Sequence, residues 1–197
     1  DGMQVERSPQ IQFAMLRDLA ELAIAYGAVG REIPPALVTA MEAMAPALRL
    51  FRHGDGALAL FNDSNEGRAD AIERVLAARG AGKATLERAP NGGFQRLACG
   101  GLVAIVDCGR PPPPGFDTQA HAGTLAIEVS SGRERILVNC GAHPWSDEWR
   151  RVQRHSAAHS TLVIDDTSSS QLRPGGGFGR RVSQVACRRE EAEGQIW

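Results

Sequence analysis

The sequence has almost no net charge and no long apolar segment. Its 22 basic and 23 acidic residues leave a formal charge of −1, so it has no general attraction for nucleic acid or an anionic membrane. No segment reaches the roughly eighteen apolar residues that a membrane span requires, and no secretory signal opens the chain. The chain begins at Asp1 rather than at a methionine, so we expect a fragment or a processed piece of a longer protein.

Cysteine is scarce, and its spacing argues against the common cysteine motifs. Cys99, Cys108, Cys140 and Cys187 are far apart, and none belongs to a CxxC pair. All four lie in or beside apolar segments that resemble strands. This placement favours buried thiols over a disulfide framework. A zinc finger is the least favoured of the three alternatives.

The chain is large enough to form a substantial core. Its 197 residues, of which 43% are hydrophobic and 23% charged, are typical of a globular protein with one large or two small domains. Ser8 and Pro9 are a favourable helix start, because a hydroxyl caps the first turn and proline suits its first position. Apolar residues follow at helical spacing, to a predicted end near Gly27 or Gly30.

A second helix is predicted directly afterwards. Pro34 and Pro35 begin an amphipathic segment that continues to about Leu50. Met41 and Met44 fall on its apolar face and are expected to fill the core. The two segments together predict an αα-hairpin.

The remainder of the chain is typical of a β-rich domain, with short apolar segments separated by glycine and proline. The predicted strands are ALALF, FQRLA, LVAIVD, LAIEV, ILVN, TLVID and an exposed RRVSQVACR. LVAIVDCG and RILVNCG share one pattern, so we expect them to face or neighbour each other in a sandwich. A surface helix is predicted from Ala69 to Arg79, with Ile72, Val75 and Leu76 directed inward. The glycine-rich RPGGGFGRR lacks the ending of a phosphate loop and is predicted to be a flexible loop.

Two histidines stand beside predicted strands within residues 119–165. His121 precedes LAIEV, and His159 precedes TLVID. Two imidazoles next to strands are candidates for a metal site or a proton-transfer site. The alternative is that each is an ordinary hydrogen-bonded residue near a strand end. The other histidines are expected in turns or on the surface: His53, His143 and His155.

Several segments resemble the heparinase II/III family, and they occur in the same order. They are DGMQVERSP at the start, HAGTLAIEVSSG and ILVNCG in the middle, and AAHSTLVID later. Members of that family join an α/α-toroid to an antiparallel β-sandwich. The resemblance implies that residues 1–50 are the last helices of the toroid and residues 51–197 belong to the sandwich, with both ends truncated. The expected fold is therefore α+β, a short helical hairpin followed by a mainly antiparallel β-sandwich.

The same resemblance implies a chemistry, which is β-elimination at a uronic acid in a polysaccharide. A base removes the proton next to the carboxylate, a neutralising group holds the enolate, and an acid protonates the departing oxygen. The implied partner is an acidic polysaccharide bound between the two domains. The implied location is the periplasm or the exterior of the cell.

Two catalytic positions of the family are altered in this sequence. A family histidine near the reacting sugar falls on Gln119, which can donate a hydrogen bond but cannot transfer a proton near neutral pH. The tyrosine expected after ERSP is missing, since Ile11 and Gln12 occupy that region. Tyr26, the only tyrosine, is expected to be a packed helix residue.

The resemblance further implies a zinc site in the sandwich, with His121, Asn139 and His159 as its ligands. The family has aspartate where Asn139 stands, and an amide oxygen binds zinc less strongly than a carboxylate. The aspartate of the family's strand motif falls on Gly123. Zinc is therefore the expected cofactor, in a site with one altered ligand.

Two functions remain open at this point. The first is a polysaccharide lyase that takes some catalytic groups from the missing helical region. The second is a lyase-like scaffold that binds acidic glycan without cleaving it, with Arg7, Arg52 and Arg154 as candidate carboxylate contacts. A third alternative is purely structural, in which the two histidines and Asn139 form a hydrogen-bonded cluster that holds three strands together.

Overall fold

The computed structural model describes residues 1–78, 81–193 and 195–196. Its α-helices are α1 (Pro9–Ala28), α2 (Pro35–Leu50), α3 (Ala69–Leu76) and α4 (Asp147–Gln153). Its principal strands are β1 (Arg88–Ala89), β2 (Phe94–Cys99), β3 (Leu102–Asp107), β4 (Ile127–Ser131) and β5 (Glu134–Leu137). A 3-10 turn at Ser156–Ala158 follows α4, and a ribbon of β6 (Glu191–Ala192) and β7 (Gln195–Ile196) lies near the end.

The start of α1 is determined by Ser8 and Pro9, as predicted. Ser8 Oγ accepts a hydrogen bond from the N–H of Ile11 at 3.4 Å, and Pro9 occupies the first helical position. The helix ends at Ala28, and Gly30 follows with a φ of +67°, which glycine adopts at little cost. The first predicted helix is confirmed.

Helix α2 packs against α1 and completes the predicted hairpin. It extends from Pro35 to Leu50. Met41 and Met44 are buried in the same cluster as Leu16 of α1. The core role predicted for both methionines is confirmed.

Helix α3 buries Ile72, Val75 and Leu76, which confirms their predicted inward direction. The helix ends at Leu76. The predicted end at Arg79 lies outside the described residues.

The five principal strands form one antiparallel sheet in the order β1-β2-β3-β4-β5, so each strand pairs with its neighbour in sequence. In the β2–β3 pair, Phe94 lies opposite Asp107. The β4–β5 pair contains a bulge between Val129 and Ser130. This arrangement, together with the helical hairpin, confirms the α+β class with mainly antiparallel strands.

Four predicted strands are present, some with shifted ends. FQRLA lies in β2, LVAIVD forms β3, LAIEV overlaps β4 and ILVN overlaps β5. The expectation that LVAIVDCG and RILVNCG face or neighbour each other is wrong, because β4 lies between β3 and β5 in one sheet. Strands that are joined by a short turn usually pair with each other, so β5 pairs with β4 and not with β3.

Three predicted strands are wrong, namely those over residues 57–61, 161–165 and 180–188. The first two make only isolated bridge contacts. In the first, the N–H of Leu60 donates to the carboxylate of Glu128 at 2.9 Å rather than to a neighbouring strand. An apolar segment becomes a strand only where another strand pairs with it, which the pattern alone does not reveal. Turns and bends occupy residues 174–177, which agrees with the loop predicted there.

One apolar cluster joins the helices to the sheet. Phe94 of β2 contacts Phe51 and Phe61 edge-on, with ring centroids 4.8 and 5.1 Å apart. The cluster continues through Leu16 of α1 and Ile105 of β3. The predicted domain boundary near residue 50 falls within this shared core, and the division into two domains stays a prediction.

Arg7 connects the start of the chain to the sheet. Its guanidinium is buried, forms an ion pair with Asp107 and lies 4.6 Å from the centre of the Phe94 ring. Its Nε donates to the carbonyl of Gly92 at 2.6 Å. Burial raises the pKa of Asp107, although Arg7 acts in the opposite direction. The arginine therefore compensates a carboxylate that has lost its water.

The cysteines are less buried than their sequence context predicts. Cys99, Cys140 and Cys187 are exposed and Cys108 is partly buried, so the expectation of buried thiols is wrong for three of them. Cys99 lies at the end of β2 and Cys140 lies beyond β5, where the chain leaves the sheet. All four are free thiols, in agreement with the prediction against a disulfide framework. None of the helices in the described ranges is long and apolar enough to cross a membrane.

Replacing Arg7 with alanine tests the connection between the N-terminal segment and the sheet. Arg7→Ala leaves the Asp107 carboxylate buried without a cation, so we expect the free energy of unfolding to fall by about 3–5 kcal/mol. Urea denaturation measures this loss. Arg17→Ala is the control, because the Arg17–Asp18 pair is exposed and its removal leaves the urea midpoint nearly unchanged. Equal losses in the two variants would contradict the role of Arg7.

Candidate functional site

Two histidines from distant parts of the sequence meet in the interior. His121 lies in the loop between β3 and β4, and His159 follows the 3-10 turn. His121 Nδ1 lies 3.1 Å from His159 Nε2, and the two rings are nearly perpendicular. His121 is only 4% exposed. The two histidines of the predicted site therefore do face each other.

Neighbouring groups indicate which ring nitrogens carry a hydrogen. His159 Nδ1 lies 2.9 Å from the carbonyl oxygen of His155, so it carries a hydrogen and donates it. The lone pair of His159 Nε2 can then accept from His121 Nδ1. This assignment leaves His121 Nε2 without a hydrogen-bond partner among the described residues, 3.9 Å from Asp63 Oδ1.

Burial keeps both imidazoles neutral. Burial, together with the neighbouring His121, lowers the pKa of His159 to about 4. Burial also lowers the pKa of His121, although the carboxylate of Asp63 acts in the opposite direction. Neither ring therefore carries a positive charge near neutral pH.

Asp63 lies near His121, and the sequence analysis did not identify it. It follows Asn62 in a turn where both residues have positive φ, of 56° and 46°, which these residue types tolerate better than most. Asn62 Oδ1 accepts the N–H of His121 at 3.1 Å, and the Asp63 carboxylate pairs with Arg150 at 2.5 Å. Burial alone would raise the pKa of Asp63, but the ion pair with Arg150 outweighs this effect and lowers the pKa. The Asn-Asp dipeptide was its only sequence signal.

Glu128 of β4 is a second residue that the sequence analysis missed. Its side chain is fully buried. Its Oε1 accepts the N–H of Leu60 at 2.9 Å, and the N–H and Nδ2–H of Asn139 at 3.1 and 2.8 Å. Its Oε2 lies 3.0 Å from His53 Nε2, and His53 Nδ1 lies 2.8 Å from Ser130 Oγ. These donors replace the water that a buried carboxylate loses.

His53 belongs to the same network, which the sequence analysis did not predict. It was expected only in a turn, but it is 4% exposed and belongs to the interior. The missed signal was an acidic residue, Glu128, between two apolar residues of one strand. By contrast, His143 Nδ1 accepts the N–H groups of Trp145 and Ser146 at 3.3 and 3.0 Å, which confirms its turn role. His155 is exposed, as predicted.

The separation of the two histidine nitrogens is compatible with a pair of zinc ligands. Two nitrogen ligands of a tetrahedral zinc lie about 3.3 Å apart, close to the separation of His121 Nδ1 and His159 Nε2. Metal binding at His121 Nδ1 would shift its hydrogen to Nε2, which faces Asp63. A carboxylate that accepts from a metal-bound histidine is a common supporting arrangement, and it would give the unpartnered nitrogen a partner.

The third predicted ligand is held by other contacts. Asn139 Oδ1 accepts the N–H of Ser160 at 3.0 Å, and its Nδ2 donates to Glu128. Within residues 1–78, 81–193 and 195–196, no three His, Cys, Asp or Glu side chains are placed to hold a metal. The three-ligand zinc site therefore stays a prediction.

Gly123 allows His159 to occupy its position. A Cβ at this glycine would lie 2.8 Å from His159 Cδ2, closer than side chains pack. The family aspartate expected at this position would therefore require His159 to move. The glycine and the observed histidine pair are compatible with each other.

Gln119, the predicted counterpart of a catalytic histidine, is exposed two residues before His121. Tyr26 is half-buried against the core cluster, in agreement with its expected packing role. The structure thus places neither a proton-transferring side chain at position 119 nor a tyrosine near the ERSP segment.

The three arginines predicted to contact a carboxylate all hold parts of the fold. Arg7 pairs with Asp107, as described above. Arg52 pairs with Glu73 at 2.8 Å. Arg154 donates from Nε to the carbonyl of Ala120 at 2.9 Å and is 6% exposed. Their role in substrate binding stays a prediction.

Substitution of Glu128 tests whether its network holds the site together. Glu128→Leu leaves four donors without their acceptor, and we expect the free energy of unfolding to fall by about 3–5 kcal/mol. Glu128→Gln keeps an oxygen for these donors, and the expected loss is about 1–2 kcal/mol. Glu134, exposed on the neighbouring strand, supplies matched controls in Glu134→Leu and Glu134→Gln. Equal losses for the two leucine variants in urea denaturation would contradict the network's importance.

A family model and a curated relative match this chain. The family described as "Heparinase II/III-like, C-terminal" matches residues 81–197. "FtsZ-localized protein C" of Caulobacter vibrioides (strain NA1000 / CB15N) is 32% identical over 208 residues, which cover 100% of this chain and 35% of that protein. The chain therefore spans about a third of the length of the curated relative it matches.

Solved structures show the same fold. A mutant of the heparan sulfate lyase HepC from Pedobacter heparinus has a TM-score of 0.69 at 23% identity, covering 89% of this chain and 33% of the other. A heparinase III structure has a TM-score of 0.67 at 14% identity, covering 98% of this chain and 35% of the other. With its family match over more than half of its length, the chain belongs to the heparinase II/III-like family, whose C-terminal domain model matches residues 81–197.

Proposed function

We propose that this chain is part of a heparinase-like protein that no longer performs β-elimination and instead binds a protein partner in an FtsZ-containing structure. The claim that β-elimination is lost rests on Gln119, an exposed amide where the family resemblance predicts a histidine. β-Elimination needs a group that removes a proton from carbon, and an amide does not do so near neutral pH.

The buried histidines do not replace the missing group. His121 and His159 are turned toward each other, and burial holds both in the neutral form. The arginines expected to neutralise a uronate are engaged with Asp107, Glu73 and a backbone carbonyl. These contacts support a structural use of residues that a lyase would direct at its substrate.

The relative from Caulobacter vibrioides supports the proposal that this chain binds a protein partner in an FtsZ-containing structure. Its name describes an FtsZ-localized protein, and its similarity covers the whole of this chain at 32% identity. The solved lyases are 14–23% identical, which supports the fold and not the activity. A protein partner therefore accounts better for the similarity than a polysaccharide substrate does.

The polysaccharide lyase is the second candidate, and the family membership favours it. Catalytic groups would then come from parts of the protein beyond this chain, with the uronate bound near Gln119. A non-cleaving glycan-binding protein is the intermediate case, with Arg7, Arg52 and Arg154 as contacts. The zinc, the acidic glycan and the periplasmic or secreted location all stay predictions.

Two measurements on the longest purified form of the protein separate these functions. The first is incubation with uronate polysaccharides, including heparan sulfate, while ultraviolet absorbance of an unsaturated product is followed. We expect no absorbance, because the proton-transferring side chain is replaced. The second is co-sedimentation with FtsZ polymers, in which we expect the protein in the pellet only when FtsZ is present.

The variant Gln119→His serves as the matched control, since it restores the family residue at an exposed position. If Gln119→His forms product and the unaltered protein does not, the side chain at position 119 is what the unaltered protein lacks for catalysis. Product formed by the unaltered protein would overturn the non-catalytic proposal. If the protein binds heparan sulfate, forms no product and does not co-sediment with FtsZ polymers, its partner is a glycan and the proposed protein partner is wrong.

Zinc content is a separate test of the histidine pair. If zinc binds, we expect one ion per chain in protein purified without chelator, and its loss in the double variant His121→Ala, His159→Ala. Elemental analysis measures the metal, and His143→Ala with His155→Ala provides a histidine-matched control. Zinc-free protein that folds normally would retire the zinc prediction and leave the hydrogen-bonded pair as the structural alternative.

A further inference from the structure

One ring nitrogen of His121 faces a carboxylate oxygen at a distance too long for a direct hydrogen bond. His121 Nε2 lies 3.9 Å from Asp63 Oδ1, whereas an N–H···O hydrogen bond spans about 2.7–3.2 Å. His121 Nδ1 donates its hydrogen to His159 Nε2, which leaves a lone pair on His121 Nε2. Two acceptors therefore face each other in the interior, where polar atoms are rarely left without a partner.

Contacts on both sides fix the separation of these two atoms. The N–H of His121 donates to Asn62 Oδ1 at 3.1 Å. On the opposite side, Arg150 binds both oxygens of Asp63, with Nη2 at 2.5 Å from Oδ2 and Nε at 3.3 Å from Oδ1. A carboxylate oxygen accepts more than one hydrogen bond, so Oδ1 can still accept another. The space between His121 and Asp63 is thus bounded by groups that are held in place.

Arg154 supplies a buried donor beside the same histidine. Its Nε donates to the carbonyl of Ala120, directly before His121, at 2.9 Å. Its own carbonyl accepts the N–H of Ala122, directly after His121, at 2.8 Å. Arg154 is 6% exposed, and within the part of the chain that the structure describes its Nη2 has no hydrogen-bond partner. The interior around His121 therefore contains an unmatched acceptor and an unmatched donor.

These groups specify what can bind between them. The bound species must donate to His121 Nε2 and to Asp63 Oδ1, and it must accept from Arg154 Nη2. A hydroxyl of a sugar or a side chain has one hydrogen, so it leaves one acceptor unmatched. A cation would face the guanidinium of Arg154, and an anion would face the carboxylate of Asp63. A neutral molecule with two donors and an acceptor fits, and water is the smallest of these.

The printed separation also suits water in its geometry. An oxygen about 2.8 Å from two atoms that are 3.9 Å apart sees them at an angle of about 90°. This angle is close to the angle between the two hydrogens of a water molecule. One water can therefore donate to both atoms at ordinary hydrogen-bond lengths.

We propose that one buried water molecule binds between His121 Nε2 and Asp63 Oδ1, donates to both, and accepts from Arg154 Nη2. Three hydrogen bonds are the usual number for a buried water. The water keeps the hydrogen of His121 on Nδ1, where His159 accepts it. Arg154 is therefore a positioning residue, which acts on the histidine pair through the water. The proposal is independent of the proposed function, because it concerns the protein without metal or partner.

The water gives the histidine pair a second hydrogen arrangement at little cost. If the hydrogen of His121 moves from Nδ1 to Nε2, the water can accept from Nε2 and still donate to Asp63. Its second lone pair still accepts from Arg154. The pair can therefore change its hydrogen arrangement without movement of the surrounding side chains.

A crystal structure of the protein purified with chelator tests the site directly. We expect one water peak within about 2.6–3.2 Å of His121 Nε2, Asp63 Oδ1 and Arg154 Nη2. Anomalous scattering distinguishes this water from a metal ion. A metal ion at this place would overturn the proposal. A space without density, or a side chain that closes the distance between His121 and Asp63, would do the same.

Nitrogen NMR tests the hydrogen arrangement in solution. Long-range proton–nitrogen correlations in chelator-treated protein with 15N-labelled histidine show which ring nitrogen carries a hydrogen. Near neutral pH we expect the hydrogen on Nδ1 in both His121 and His159. A hydrogen on Nε2 of His121 would point a donor at Asp63 and remove the need for a donating water. That result would overturn the proposal.

Arg154→Met tests the third hydrogen bond, because it removes the donor and keeps a long side chain. Arg151→Met is the matched control at an exposed position of α4. We expect the nuclear Overhauser signal from water to the His121 ring to fall at least about twofold in Arg154→Met, since the water loses one of three partners. The control should leave this signal unchanged. An unchanged signal in cooperatively melting Arg154→Met would overturn the role of Arg154. If that variant does not fold, the two measurements on the unaltered protein decide.

Discussion

The carboxylate of Glu128 is the group on which the arrangement of this domain depends. It lies on β4 and is fully buried. Its two oxygens bond to Leu60 in the segment after α2, to His53, and to Asn139 beyond β5. A buried charge is tolerated only when its lost hydration is replaced, so these donors must be brought together for the carboxylate to be buried at all. Through Asn139 and the N–H of Ser160, the same network reaches the residue next to His159. The candidate site therefore rests on a structural network rather than on the sheet alone.

The chain retains the fold of the heparinase II/III-like family, and the loss of that family's chemistry is a separate proposal. The family model matches residues 81–197, and one apolar cluster packs this part of the chain against the helical hairpin. Gln119 is exposed, while Arg7 and Arg154 are buried in contacts that support the chain. A scaffold can persist after its reaction is lost, because packing and buried polar networks constrain the core independently of a few exposed catalytic groups.

Local signals in the sequence predicted local structure well. Ser8 and Pro9 marked the start of α1, and Pro35 and Leu50 marked the two ends of α2. These signals are reliable because capping and proline preferences act within a few residues. Apolar runs were less reliable. FQRLA and LVAIVD became paired strands, while residues 161–165, with a similar composition, did not. In β4 the buried positions are Glu128 and Ser130, with Ile127 and Val129 less covered, which reverses the usual meaning of the alternation.

By itself the sequence determined the helical hairpin, the antiparallel β-rich class and the family, because these depend on residue types and short spacings. Only the tertiary structure decided which side chains meet. It placed Asp63 near His121, set His121 against His159, and buried Glu128 with His53. The reason is physical: such contacts depend on strand register, turn geometry and the path of the chain between distant segments. None of these is encoded in the local pattern around either residue.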